Sequence, residues 1–503
     1  MLPSSSFNPA TERARARSAA SVTSGAGLPS TASRSAFGDG GDWAFSISLV
    51  VVALAARVLV ALAFAREPVW DGHYYHFGAE RLAAGLGYSE DVTIAGRSVW
   101  KAWAHYPVGY SAFLAAFYKI FGAGIGTAPV VGAAVGSLLA LLVHRVGRYM
   151  TSANRSRIAG AICALHPGLI LYSAVVMTEL LAGLLLLAAA WAALGIRSKP
   201  LRLLVAGLLF GCAALVRPSS LLVLPALAFC TGRTLWQRVW HTSVIGVAAL
   251  IVILPWTWRN CRVMDGCTLV STNGGWNLAI GALTETGRFQ TLRAKDGCRV
   301  VTGQVQQDRC WAERGREIIE ANPGAWLRKM PAKLSQTYDH ESFAIEYLHE
   351  AAPELWPEER RKAGRQLLTF FHRLLMAAAA LSPIALVTVF RPPARSLVQW
   401  TLLVMAVAYS AYAFASDQHA FYPLMVLTPL LPLLPLPGRP TFNWPLGLAH
   451  GALLATTLTH AVFFGEDRYH LVITPILCLL AATAFRSPRP LPILVGSHTA
   501  RPD

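Results

Sequence analysis

The sequence of 503 residues predicts an all-α polytopic membrane protein, with about twelve transmembrane helices and a small mixed domain outside the bilayer. Three observations predict it. Hydrophobic residues make up 54% of the chain and charged residues only 14%, with a mean hydropathy of +0.44. A soluble fold could not hide that much apolar surface, whereas lipid accepts it. The apolar residues also fall in runs close to the roughly 20 needed to cross a hydrocarbon core. Finally, alternate gaps between the runs are short and basic, as cytoplasmic loops are under the positive-inside rule. A formal charge of +17 would point to nucleic acid in a soluble protein. Its concentration in these gaps argues for a membrane surface instead and against a nucleic-acid partner.

Taken in order, residues 1–42 are rich in Ser, Ala and Gly and carry Arg13, Arg15, Arg17 and Arg34. That composition reads as a disordered cytoplasmic tail. The apolar run that follows is long and lacks a small-residue cleavage site, which argues against a signal peptide. Candidate spans lie at 43–65, 124–146, 156–176, 179–196, 201–217, 219–232, 241–257, 367–390, 396–414, 421–437, 443–464 and 470–486. The gaps expected inside hold Arg145, Arg148, Arg155 and Arg157, then Arg197, Lys199 and Arg202, then Arg233 and Arg238, then Arg391 and Arg395, then Arg439. Both termini are therefore expected in the cytoplasm, the C-terminal one as a tail over 487–503. Residues 43–257 form an N-terminal transmembrane module and residues 367–486 a C-terminal one.

Two long segments remain on the outer side. The first loop, 66–123, should contain short helices lying on the membrane. The second segment, 258–366, is polar enough for a small mixed domain, with helical patterning over 311–336 and 355–370 and a break at Asn322–Pro323. Cys261, Cys267, Cys298 and Cys310 all fall in this segment. An even set in an oxidising compartment suggests two disulfides, and local pairing (261 with 267, 298 with 310) is preferred among three connectivities. Zinc is the alternative, against which the spacing argues.

Several residues could carry chemistry. Asp71 opens the stretch WDGHYYHFGAERLAAGLGY, over 70–88, beside Tyr74, Tyr75 and His76. A carboxylate at an interface can serve as general base. The plainer reading is an N-cap for a helix over 72–85. Glu179 sits at the outer turn between two spans, where burying a carboxylate costs roughly 2.5–3.5 kcal/mol at a helix centre unless it is paired or used. Arg217, Arg259 and Arg468 fall at three outer span ends, where the positive-inside rule disfavours them. Guanidinium groups there could fork onto a phosphate, or simply snorkel. AHYPVGYSAFLAAFYKIFG, over 104–122, holds His105 and Tyr106 on a rigid turn. TNGGWNLAIGALTETG, over 272–287, offers Trp276 and Asn277, and Tyr469 follows Arg468. Aromatic and amide groups of this kind contact sugar or lipid, or merely anchor an interface. Asp71 and His73 could share a metal, but two ligands do not define a site. No phosphate loop, nucleophile elbow or HExxH helix is present.

Six blocks in order resemble the GT-C superfamily of membrane glycosyltransferases. They are the Asp71 stretch, AHYPVGYSAFLAAFYKIFG, the Glu179 turn after LHPGLILYS, ALVRPSS, PWTWRN with TNGGWNLAIG, and GEDRYHLVITP, together covering about residues 44–485. The chain is most similar to bacterial relatives of the dolichyl-phosphate-mannose protein mannosyltransferases and of the lipid A aminoarabinose transferases. The resemblance implies a GT-C fold with a periplasmic cap, in the bacterial inner membrane. It implies a polyprenyl-phosphate-sugar donor, a periplasmic glycan, lipid or protein acceptor, and transfer with inversion. It gives Asp71 general-base duty, Glu179 a supporting role, and Arg468, Arg217 and Arg259 the donor phosphate. The mannosyltransferases usually carry two acidic residues close together in the first loop, whereas Asp71 is followed by Gly72 and His73. That departure leaves the cofactor unassigned, with a divalent metal as the open option. A transporter or flippase of lipid-linked sugars is the alternative, and it would want charges deep in the spans and repeat symmetry. A noncatalytic scaffold would tolerate loss of Asp71, Glu179 and Arg468.

Overall fold

The computed structural model describes residues 40–94, 96–232, 234–388, 393–416, 421–430 and 444–484. The tails expected over 1–42 and 487–503 lie almost wholly outside these residues, as do 431–437 of one expected span and the end of the last.

Among the described residues, four helices are long and apolar enough to cross a membrane: α1 from Gly41 to Ala63 within Gly40–Ala63, α4 (Thr127–Met150), α7 (Lys199–Val216) and α8 (Leu235–Val263). Two of them leave much of their apolar side chain area uncovered by protein. Leu59 and Leu62 of α1, and Val247, Ile251 and Leu254 of α8, are each more than half exposed. Lipid contact accounts for such stripes, because hydrocarbon does not penalise them. Two of the other expected spans are broken. The run 156–176 is α5 (Ala153–Leu165) followed by Pro167–Ala174, bent by 53° at His166–Pro167. Pro167 has no N–H to continue the ladder, and His166 leaves the α region as residues before proline do. The run 219–232 is a chain of 3-10 and short α turns over Pro218–Cys230. α6 (Glu179–Gly195) packs between α4 and α7.

The first loop folds as α2 (Trp70–Ala83), a hairpin of β1 (Ser89–Ile94) and β2 (Arg97–Ala102), then α3 (Val108–Phe121). The strands pair antiparallel with Ser89 opposite Ala102 and Ile94 opposite Arg97. This hairpin was not expected, because its strands are too charged to read as apolar alternation. Arg81 and the aromatic ring of Phe77 on α2 cover its Trp100, with the Arg81 guanidinium 3.6 Å from the ring centroid.

Segment 258–366 corrects the expectation of a mixed domain: its described residues form helices and loops without strands. α9 (Gly274–Leu283), α10 (Gln304–Ala321), α11 (Pro323–Tyr338) and α12 (Phe343–Ala351) follow in order. The expected break falls at Asn322, whose side chain caps α11 by accepting from the Ala325 N–H at 2.9 Å. Cys261 pairs with Cys267 and Cys298 with Cys310, so the preferred local pairing is the one present. The second disulfide joins a small core of Ala279, Ile280, Leu292, Trp311 and Phe464.

C-terminal to it run α13 (Glu358–Thr388), α14 (Pro393–Ala415), α15 (Tyr422–Leu427), α16 (Trp444–Val462) and α17 (Thr474–Ala484). The loop between α16 and α17 is threaded against α11. A Cβ on Gly465 would lie 1.9 Å from the Lys333 carbonyl oxygen, so only glycine permits the approach. Lys333 is fully buried there. Its ammonium donates to the carbonyls of Ala461 at 3.3 Å and Val462 at 3.0 Å, which end α16 without intrahelical partners.

Candidate active site

α2 brings Asp71 to the wall of a cavity of about 1620 Å³. Its second residue is Asp71, and the N-cap is Val69 with no capping side chain, so the capping role weighed for Asp71 is overturned. Trp70 takes φ of +50°, a left-handed conformation unusual for a bulky residue. The indole is held against Phe343 and Tyr347, with centroids 5.6 Å and 5.9 Å away. Gly72 explains the next step of the motif. A Cβ there would lie 2.2 Å from the Tyr347 hydroxyl and 2.8 Å from the Val176 carbonyl. The glycine lets the first turn of α2 settle on the segment that leads into Glu179.

Asp71 is doubly engaged. Its Oδ1 accepts from the Tyr106 hydroxyl at 2.6 Å, and its Oδ2 from Arg468 Nη2 at 2.7 Å. Burial pushes the Asp71 carboxyl up, but the Arg468 guanidinium and the Tyr106 hydroxyl outweigh it and hold it below its ordinary value. His105, next to Tyr106, is pushed down to about 4 by burial, against a partial opposing pull from Asp71, so it is neutral near pH 7.

Glu179 is fully buried at the first position of α6, where the positive end of the helix favours a carboxylate. Its Oε1 accepts from Arg217 Nη1 at 2.7 Å, and the same nitrogen donates to Thr178 Oγ1 at 3.0 Å. Arg217 reaches it because Pro218 ends α7 and turns Arg217 into an extended conformation. The two ion pairs share one ring. The guanidinium carbons of Arg217 and Arg468 lie 5.2 Å and 5.3 Å from the centroid of Tyr469, and the Tyr469 ring stacks on His460 at 4.5 Å.

The cavity thus gathers both carboxylates, Arg217 and Arg468 from four distant parts of the chain. Tyr75, His105, Tyr106, Trp276, Asn277 and Tyr469 line it as well. Arg259 does not. Its Nη1 donates to the Trp103 carbonyl at 2.9 Å and its Nη2 to the Tyr88 carbonyl, so it ties the first loop to α8 rather than facing a phosphate. Tyr74 also lies off the cavity, packed on Trp103 and Tyr106. His73, two residues on from Asp71, stacks on Phe77 away from the cavity, which leaves Asp71 without a metal-sharing partner there. Sequence reading missed Arg288, His340 and Glu466, which line the cavity. Arg288 carried no signal beyond an ordinary solvent-facing arginine. His340 stands in the run Asp339–His340–Glu341, three titratable groups together, which was a usable signal.

Residues 105–258 match the family model described as dolichyl-phosphate-mannose-protein mannosyltransferase. No curated protein matches the sequence. Among solved structures, the oligosaccharyltransferase of Archaeoglobus fulgidus in complex with zinc and sulfate is similar at 12% identity and a TM-score of 0.46, over 88% of this chain and 48% of that one. The same organism's oligosaccharyltransferase AglB, in complex with an inhibitory peptide and a dolichol-phosphate, gives 12%, 0.45, 88% and 50%. ArnT from Cupriavidus metallidurans bound to undecaprenyl phosphate gives 14%, 0.36, 84% and 78%. This chain spans about half the length of the archaeal oligosaccharyltransferases. The expected resemblance to dolichyl-phosphate-mannose protein mannosyltransferases is met over residues 105–258, about a third of the chain.

Proposed function

We propose that the chain is an inverting glycosyltransferase of the bacterial inner membrane, with about twelve spans and the cavity open to the periplasm. It moves a sugar from a polyprenyl-phosphate donor to a periplasmic glycan, lipid or protein. The observation that carries this reading is the Asp71–Arg468 ion pair at 2.7 Å on the wall of a cavity large enough for a sugar and an acceptor. A carboxylate held low by a guanidinium is a weak base. The donor phosphate changes that, because it competes for Arg468 and frees Asp71 to turn to the acceptor.

In the transfer step the acceptor hydroxyl or amine gives its proton to Asp71 and attacks the anomeric carbon. The bond from that carbon to the phosphate oxygen breaks on the opposite face, and the polyprenyl phosphate leaves with the electron pair. Arg468, with Arg217 beyond the Tyr469 ring, stabilises the charge that develops on the phosphate. Glu179 orients Arg217. Trp276, Asn277 and His105 contact the sugar or acceptor.

The test is a deletion strain carrying the wild-type chain or Asp71→Asn, with mass spectrometry of envelope glycolipids and polysaccharides. Asp71→Asn should leave one sugar missing and its lipid-linked donor accumulated. A full set of glycans in that strain would overturn the reading.

A further inference from the structure

Behind Arg468, and off the cavity lining, three buried side chains from distant segments converge. Glu341 lies in the turn between α11 and α12, His372 within α13, and His470 in the 3-10 turn Tyr469–Val472. Their exposures are 1%, 0% and 0%. One ligand atom from each lies within 4.8 Å of the others. Glu341 Oε2 is 3.2 Å from His470 Nε2 and 3.6 Å from His372 Nδ1.

The outer nitrogens decide what the inner ones can do. His470 Nδ1 is 2.8 Å from the Thr337 carbonyl oxygen, and His372 Nε2 is 2.9 Å from the Tyr338 carbonyl oxygen. A carbonyl only accepts, so each ring donates at that nitrogen. In neutral rings, His470 Nε2 and His372 Nδ1 then carry lone pairs, and both face a carboxylate oxygen. With both rings neutral, three acceptors meet here, an arrangement that repels unless a proton or a metal cation sits between them. Glu341 Oε1 and His372 Nδ1 are buried without a hydrogen-bond partner among the described residues. A cluster built only for packing would not leave them so.

We propose that Glu341, His372 and His470 form a binding site for a divalent transition metal of the zinc class, separate from the Asp71 cavity. Nitrogen and carboxylate oxygen suit that ion, and tetrahedral bonds of about 2.0–2.1 Å place ligand atoms roughly 3.3–3.4 Å apart. The two carboxylate-to-histidine distances bracket that separation. Glu341 Oε2 with the two ring nitrogens gives three protein donor atoms. The carbonyls of Thr337 and Tyr338, left free at the end of α11, orient the rings as second partners of metal-bound histidines do. The turn Pro167–Leu171 closes the remaining side, since a Cβ on Gly168 would fall 1.4 Å from Glu341 Oε1. The site also has a place in the fold. Asp467 accepts from the Ser342 N–H at 2.7 Å, so a metal at Glu341 and His470 would clamp 341–342 to 467–470 and steady Arg468 between them. This inference does not depend on the glycosyltransferase reading.

The test uses the full-length chain purified in detergent, stripped with EDTA and then titrated with Zn²⁺ or Co²⁺. Elemental analysis should find about one zinc per chain, and Co²⁺ should give the strong visible absorption of a tetrahedral site. His372→Gln and Glu341→Gln should each lower the retained metal about tenfold or more. Asp71→Asn should retain it in full, which separates this site from any ion held in the cavity. Retention by both Gln variants, loss in Asp71→Asn, or failure of the stripped wild-type chain to take up either ion would overturn the proposal. The wild-type titration decides by itself if the variants do not fold. A chain stable only through a shared proton would take up neither ion.

Discussion

Replacing Arg217 by methionine removes the direct ion-pair partner of a buried carboxylate. Glu179 is 0% exposed, and its Oε1 depends on Arg217 at 2.7 Å. Thr178 Oγ1 lies 3.5 Å from Oε2, and the Tyr172 hydroxyl and Arg468 also act on the carboxylate, but neither makes the ion pair that Arg217 does. Methionine keeps most of the arginine stem, so the change is electrostatic rather than a cavity. Breaking one side of a buried ion pair costs about 3–5 kcal/mol, whereas replacing both partners by neutral groups is often nearly neutral. Arg217→Met should therefore destabilise strongly, and Glu179→Gln added to it should recover most of the loss. The coupling energy of the cycle should reach about 2–3 kcal/mol, the upper part of the range for residues in contact. The assay is equilibrium unfolding of the purified chain in mixed micelles for wild type, both single variants and the double. If Arg217→Met unfolds within about 0.5 kcal/mol of wild type, Glu179 does not depend on Arg217 as described above. The same holds if the double variant is no more stable than Arg217→Met.

Gly72→Ala should abolish transfer, because its Cβ would meet both the Tyr347 hydroxyl and the Val176 carbonyl; Tyr347→Phe should restore little, since the carbonyl contact at 2.8 Å remains. Envelope mass spectrometry reads both variants. Lys333 is pushed down to about 8 by burial, with Lys329 adding to it. An unfolded lysine titrates near 10.4, so between the two values the unfolded chain holds the extra proton and stability rises with pH. Unfolding from pH 8 to 10 should show this rise in wild type and not in Lys333→Met; a flat wild-type profile would contradict it. Cys298→Ser with Cys310→Ser should cost about 2–4 kcal/mol by the same unfolding assay, and non-reducing peptide mapping should recover the 261–267 and 298–310 pairs.

Much of the helical architecture was legible because long apolar runs have one stable solution in lipid. The break at Asn322–Pro323 and the local disulfides were legible for the same kind of local reason. Asp71 and Glu179 stood out as carboxylates in apolar surroundings, and their need for partners pointed to arginines at the same face. Which arginine pairs with which acid was not legible. Arg259 reads in sequence much like Arg217, yet it serves backbone carbonyls, because α8 runs beside the first loop. The hairpin at 89–102 escaped because its strands alternate charge with Val and Trp only weakly. Glu341, His372 and His470 escaped because 31 and 98 residues separate successive members, a spacing that no local motif records.

The glycine seam between α11 and the loop at 465 bears on how such a protein could be rebuilt. Under the proposed function, segment 258–366 looks on paper like a module that could be exchanged for another to change acceptor choice. Yet Lys333 closes the end of α16, the Phe464 ring is part of the Trp311 core, and the main chain at 465 runs directly against α11. Cut out, the segment would expose a buried ammonium and half a core; grafted elsewhere, it would need its glycine and its helix end to travel with it. Specificity in this scaffold is therefore easier to alter by side chains on the cavity wall than by exchanging the segment whole.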